Sequence, residues 1–196
     1  MPNSFLKVTA STLAFCSSVC ASASAQDKLA SPDPREPVVV VTANRTAQPV
    51  ERVGQSITVV DSAEIERRQT QTVADVLRTL PGVSITRNGG VGTSTSVYIR
   101  GAESDHTVAL VDGIKLNDPS SPGGGFNFGN LLTGNIERIE VLRGPSSVLW
   151  GSQAIGGVIN MITRQPTEEL TVNLRSEYGY RDTGQIVGNI AGKAGP

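Results

Sequence analysis

Punctuation constrains this chain more than any other feature. Its 196 residues include 21 glycines and 11 prolines, together above the roughly 12% of a typical chain. Residues that break helices and turn strands at this density point to many short elements joined by turns and loops, not to a helical bundle. The length allows one ordinary domain with a fragment of a second, and a core that needs no disulfide. With 17 Lys+Arg against 18 Asp+Glu, the formal charge is −1. Such a balance gives no electrostatic case for a nucleic-acid partner.

The first 25 residues read as a secretory leader. Lys7 supplies a short positive region, Val8 to Val19 is apolar but too short to span a bilayer, and Ala23-Ser24-Ala25 is a small-x-small cleavage site before Gln26. The alternative is a disordered cytosolic N-terminus. Cys16 and Cys20 both lie inside the leader, after Phe15 and Val19, which do not complete a lipoprotein box. The remaining chain holds no cysteine, hence no disulfide, thiolate metal site or cysteine nucleophile. With no apolar run of membrane-spanning length, only strands of a closed barrel remain as a spanning device.

Residues 26–36 are polar and carry Pro32 and Pro34, with Pro37 following, and read as a flexible linker. The run Val38-Val39-Val40-Val41-Thr42-Ala43-Asn44-Arg45 is strongly strand-forming. It fits a buried strand, or a recognition peptide that adds a strand to a partner's sheet edge.

A strand is expected at Ser56–Val60. Asp61 then caps a helix, with Glu64 three residues on, and Thr72 with Asp75 opens a second helix. Val73, Val76, Leu77 and Leu80 give that helix an apolar face, and Pro81-Gly82 ends it. Further strands are expected from Val83, over Val97–Arg100 and Thr107–Val111, across Ile139–Arg143, and over Val158–Thr163. The fold class is α+β: a mixed domain of short strands and helices. After Pro166, Leu170, Val172 and Leu174 alternate with polar residues, Tyr178 and Tyr180 precede a turn near 181–183, and a second run starts at Ile186. This suits a transmembrane β-hairpin or a soluble one.

Catalytic chemistry is not in evidence. His106 is the sole histidine, and no ligand stands near it in sequence. Asp112 and Asp118 lack calcium-loop spacing. No Gly-x-Ser-x-Gly elbow occurs, residues 188–193 do not complete a phosphate loop, and the glycines at 89, 90 and 92 do not complete a dinucleotide fingerprint. Two small-residue polar loops, 88–96 and 117–130, can approach a bulky polar ligand closely or be plain surface turns. Arg100-Gly101 and Arg143-Gly144-Pro145 are a matched pair, each arginine ending an apolar strand. Their guanidiniums are solvated or paired with carboxylates outside this domain.

Taken in order, several motifs resemble the plug domain of TonB-dependent outer-membrane receptors. They are Val38 to Arg45, Val76-Leu77-Arg78-Thr79-Leu80-Pro81-Gly82-Val83, Ile99-Arg100-Gly101, Leu110-Val111-Asp112-Gly113, Ile139-Glu140-Val141-Leu142-Arg143-Gly144-Pro145 and Gly151 to Asn160. Asn88-Gly89-Gly90, His106 and Asp112 to Asn117 are most similar to the cobalamin (vitamin B12) transporting branch; siderophore receptors share the general motifs.

The resemblance implies a plug that fills a barrel of about 22 strands. It implies a TonB box at Pro37, Val38, Val39, Val40, Val41, Thr42, Ala43 and Asn44, and a plug over 45–166. Residues 167–196 would be the first hairpin of a truncated barrel. By the same resemblance the substrate-facing residues are Thr93, Ser94, Thr95, Ser96, Glu103, Ser121 and Pro122, and Arg100 and Arg143 face barrel carboxylates. The implied partners are TonB with its inner-membrane energising complex, the outer membrane and cobalamin as cargo, with the receptor a monomer. No resident cofactor or metal is implied, calcium entering only through barrel loops outside this chain. Each spanning strand takes roughly 9–11 residues, so the chain as given is expected to transport nothing alone. A true truncation would leave it periplasmic.

Overall fold

Val, Ile, Leu and Thr between the glycine and proline breaks form the strands of the chain. Its computed structural model describes residues 38–40, 42–120, 122–165, 170–179 and 183–192. The expected leader and linker lie outside these residues, as do Pro37, Val41 and Ser121. In chain order the first elements are β1 (Val39–Val40), β2 (Gln48–Pro49), β3 (Ser56–Asp61), α1 (Ser62–Arg67), α2 (Val73–Arg78), β4 (Val83–Arg87) and β5 (Thr95–Ile99). Then follow β6 (Thr107–Val111), β7 (Ile114–Lys115), β8 (Ile136–Arg143), α3 (Ser147–Trp150), β9 (Gly157–Thr163), β10 (Thr171–Gly179) and β11 (Thr183–Ala191).

The central sheet has the order β3-β8-β9-β6-β7. Its β6–β9 pair is parallel, and the other pairs are antiparallel. Consecutive buried residues, 139–142 in β8 and 157–161 in β9, reflect a sheet covered on both faces. On one face Ile139, Val141, Ile159 and Met161 pack with Ile65 of α1, Val73, Val76 and Leu77 of α2, and Val97 and Ile99 of β5. On the other, Val108, Leu110, Leu142 and Val158 pack with Ala43, Trp150 and Ala154. Each such buried aliphatic side chain contributes about 1.5–3 kcal/mol relative to exposure.

Both helices begin as their caps predict. The Asp61 carboxylate accepts from the Glu64 N–H at 2.7 Å. Thr72 Oγ1 accepts from the Asp75 N–H at 3.2 Å and donates to Asp75 Oδ2 at 2.6 Å. A six-residue helix is marginal alone, so the buried α2 face holds it in place.

Two expectations are corrected. The valine run is not one extended strand. Among the described residues the strand is Val39–Val40, paired with Gln48–Pro49, the Val38 carbonyl accepts from the Val50 N–H at 2.8 Å, and the chain turns at 42–44. And β5 starts at Thr95, earlier than expected, because Thr95 and Ser96 pair with Arg87 and Thr86 of β4. The end of the first polar loop is therefore strand, which fixes those two residues.

β10 and β11 form an antiparallel hairpin in which Val172 faces Ile190, Leu174 faces Gly188 and Ser176 faces Ile186. Leu174, Tyr178, Ile186 and Ile190 are each at least three-quarters exposed. The half-buried alternate face holds Arg175 and Glu177, paired at 2.9 Å, and Asn189, which donates to Asn135 at 3.3 Å. The apolar face thus turns outward. No described helix is long and apolar enough to cross a membrane.

Candidate functional site

Three segments converge on one polar cavity of about 320 Å³. Ser94, Thr95 and Ser96 lead into and begin β5; Glu103, Ser104 and Asp105 follow the turn after it; Gly125, Phe126 and Asn127 come from the long loop before β8. Hydroxyls, carboxylates and backbone groups dominate the lining, and Phe126 offers one aromatic surface. Neither carboxylate has a hydrogen bond or ion pair with the described residues.

Asn127 joins the two polar loops. Its Oδ1 accepts from the Thr95 N–H at 2.9 Å and from the Gly129 N–H at 3.0 Å. The Gly92 N–H donates to the Gly129 carbonyl at 3.1 Å. This approach requires glycine, since a Cβ on Gly129 would lie 2.0 Å from the Thr93 carbonyl oxygen. Phe126 stands edge-on to buried Phe128, with centroids 4.9 Å apart, which ties the loop to the core.

A second set of contacts fixes the glycine-rich part of the long loop. Asn117 accepts from the Ala109 N–H at 3.0 Å and donates to the carbonyls of Thr107 at 3.2 Å and Gly124 at 2.9 Å. Gln153 donates to the Gly123 carbonyl at 3.1 Å and accepts from Lys115. Gly123 has φ +79, and a Cβ there would meet Asp105 Oδ2 at 2.3 Å. The cavity wall is thus pinned from both ends.

Of the expected substrate-facing residues, Ser94, Thr95, Ser96 and Glu103 line the cavity. Thr95 is buried, its hydroxyl donating to the Thr93 carbonyl at 2.9 Å. Thr93 is not among the lining residues; its hydroxyl donates to the Gly90 carbonyl at 2.8 Å and serves the turn. Ser121 and the Pro122 side chain lie outside the described residues. Sequence reasoning missed Ser104, Asp105, Phe126 and Asn127. Phe126 and Asn127 lie in loop 117–130, which the sequence singles out as a whole, and Asn127 carries a further signal as an Asx residue two before a glycine.

The N-terminal segment forms a separate feature on the sheet face opposite α1 and α2, beside α3. Val40, Thr42 and Ala43 are buried. Glu140 of β8, fully buried, accepts from the Thr42 N–H at 2.9 Å and from its hydroxyl at 2.6 Å, and from Arg138 Nε at 3.0 Å. The Trp150 indole N–H donates to the Thr42 carbonyl at 2.9 Å, and the Arg45 guanidinium lies 4.4 Å from the Trp150 ring centroid. Pro37 and Val41 are outside the described residues, while Val38 and Val39 are exposed and Asn44 lies in the turn.

Arg100 and Arg143 converge on Gly82, where a Cβ would meet Arg100 Cγ at 3.7 Å and Arg143 Cδ at 3.9 Å. Arg143 donates to the Pro81 carbonyl at 2.7 Å and to Thr58. Neither arginine has an ion pair among the described residues. Both are positioned side by side at one end of the central sheet.

Comparison with known proteins identifies this arrangement. Residues 49–158 match the TonB-dependent Receptor Plug Domain family. The chain is 48% identical over 125 residues to the vitamin B12 transporter BtuB of Vibrio vulnificus strain CMCP6, covering 64% of the chain and 20% of the transporter. It is 42% identical over 155 residues to the BtuB of strain YJ016, covering 79% and 25%. The fold resembles the ferripyoverdine receptor of the Pseudomonas aeruginosa outer membrane, with a TM-score of 0.69 and 25% identity over 81% of this chain and 20% of that one. The chain therefore spans a fifth to a quarter of the length of these relatives. It belongs to the TonB-dependent receptor plug family.

Proposed function

We propose that this chain is the plug and first barrel hairpin of an outer-membrane receptor that imports cobalamin. The similarity to two vitamin B12 transporters carries the reading, since it runs through the loops that build the cavity. The plug works as a transporter part and not as an enzyme. Cargo held by barrel loops would rest on the cavity wall of Ser94, Ser96 and Glu103. Residues 37–44 are the segment offered to TonB, which would pair with them as an added strand. That step requires the segment to leave Glu140 and Trp150 first. Arg100 and Arg143, close together and without carboxylate partners among the described residues, are suited to pair with barrel carboxylates. The outward apolar face of β10–β11 favours an outer-membrane location over a soluble hairpin.

A siderophore as cargo is the second reading, favoured by the fold likeness to the ferripyoverdine receptor. Uptake of labelled cyanocobalamin by cells producing the whole receptor, with and without TonB, separates the two. TonB-dependent accumulation supports cobalamin. Growth rescue by a ferric siderophore without cobalamin uptake replaces it, and TonB binding with neither uptake leaves a TonB-binding module.

A further inference from the structure

The cavity has a charge character that the cargo must match. Glu103 and Asp105 both line it, and no lysine or arginine does. Lys115, near its glycine-rich wall, donates to Gln153 and is not a lining residue. The remaining polar lining is hydroxyl, amide and backbone. Asp105 is half-buried and Glu103 exposed, so water screens the pair in part, while two like charges lining one concave site add their fields. Two uncompensated carboxylates accept hydrogen bonds and donate none. A ligand arriving with N–H or O–H groups meets acceptors; a ligand arriving with carboxylates or phenolates meets like charge.

We infer that Glu103 and Asp105 make this plug a charge filter, which admits a neutral or cationic cargo rich in hydrogen-bond donors and rejects anionic metal chelates. The inference rests on the cavity being the cargo pocket. Within that reading it names the class of cargo: an amide-bearing corrinoid fits, and a polyanionic ferric catecholate does not.

The test compares ligands of equal shape and unequal charge on the whole receptor in detergent. Cyanocobalamin is set against three isomeric monocarboxylates, each made by hydrolysing one of its propionamides. One added charge near the carboxylate pair weakens binding about tenfold. At least one isomer is expected to lose that much, and to recover to within about twofold of the parent in the Glu103→Gln, Asp105→Asn double variant. Neither carboxylate makes a hydrogen bond among the described residues, so the variant is expected to keep its fold. Three isomers that bind like the parent, or a deficit that survives in the variant, overturns the inference.

Should the receptor bind no cobalamin, a neutral ferric trihydroxamate and a trianionic ferric tris-catecholate take its place. Preference for the neutral chelate, erased in the double variant, supports the filter while the cobalamin reading falls. Preference for the trianion, no preference, or no binding of either overturns the filter as well.

Discussion

At the scale of single residues, Thr42 and Glu140 show how buried polarity holds the N-terminal segment against the sheet. They stand 98 positions apart in sequence and 2.6 Å apart in space. Thr42→Val keeps the shape and removes the hydroxyl donor, leaving a fully buried carboxylate with one fewer hydrogen bond. The loss is worth about 1–3 kcal/mol against the docked segment. With Val40→Cys as a reporter, buried when docked, thiol labelling should rise about ten- to hundredfold in Thr42→Val, at 1.4 kcal/mol per factor of ten. Thr42→Ser should restore the slow rate. Equal labelling in all three would show that the hydroxyl does not hold the segment. The valine run was legible as a strand-forming peptide. Its partner was not, because Glu140 reads in sequence as an ordinary charged residue of a half-exposed strand, and only the two-faced sheet buries it.

Secondary-structure elements divide into those written locally and those written by contact. Caps are local. Asp61 and Thr72 with their acidic partners three residues on marked both helix starts, and Pro81-Gly82 marked an end. Thr72 is also buried and accepts from Arg87 at 3.2 Å. Thr72→Ala should therefore cost about 1–2 kcal/mol, read as a lower urea midpoint at unchanged slope; an unchanged midpoint would mean that the α2 face alone carries the helix. The joint between the polar loops is not local. Asn127 and Gly129 meet Thr93 and Thr95 across the fold, so loop 88–96 looked uniform in sequence although its last two residues are strand. Gly129→Ala must push a backbone carbonyl aside, at about 1–3 kcal/mol of overpacking. It should weaken cargo binding while leaving Val40→Cys labelling unchanged. Loss of both together would mean that the two regions share one cooperative unit.

For the whole molecule, the decisive pattern is the orientation of the hairpin. Alternation alone left two readings of β10–β11, because it says that one face is apolar and not which way that face points. The plug settles the orientation: Gly134 and Asn135 meet Val187 and Asn189, so the polar face turns inward and Leu174, Ile186 and Ile190 turn outward. A soluble hairpin would bury these three against the domain, since their exposure to water forfeits the stabilisation that their area supplies. If they face lipid, Leu174→Arg places a charge in hydrocarbon at a cost of about 2–4 kcal/mol near the midplane. Leu174→Ile costs almost nothing. In cells producing the whole receptor, Leu174→Arg should reduce the heat-modifiable outer-membrane band, and Leu174→Ile should not. The plug's own core lies elsewhere, so the arginine variant should keep its cargo affinity in detergent once folded. An arginine variant that reaches the outer membrane at the normal level would place this face in water, and the hairpin would then belong to a soluble sheet.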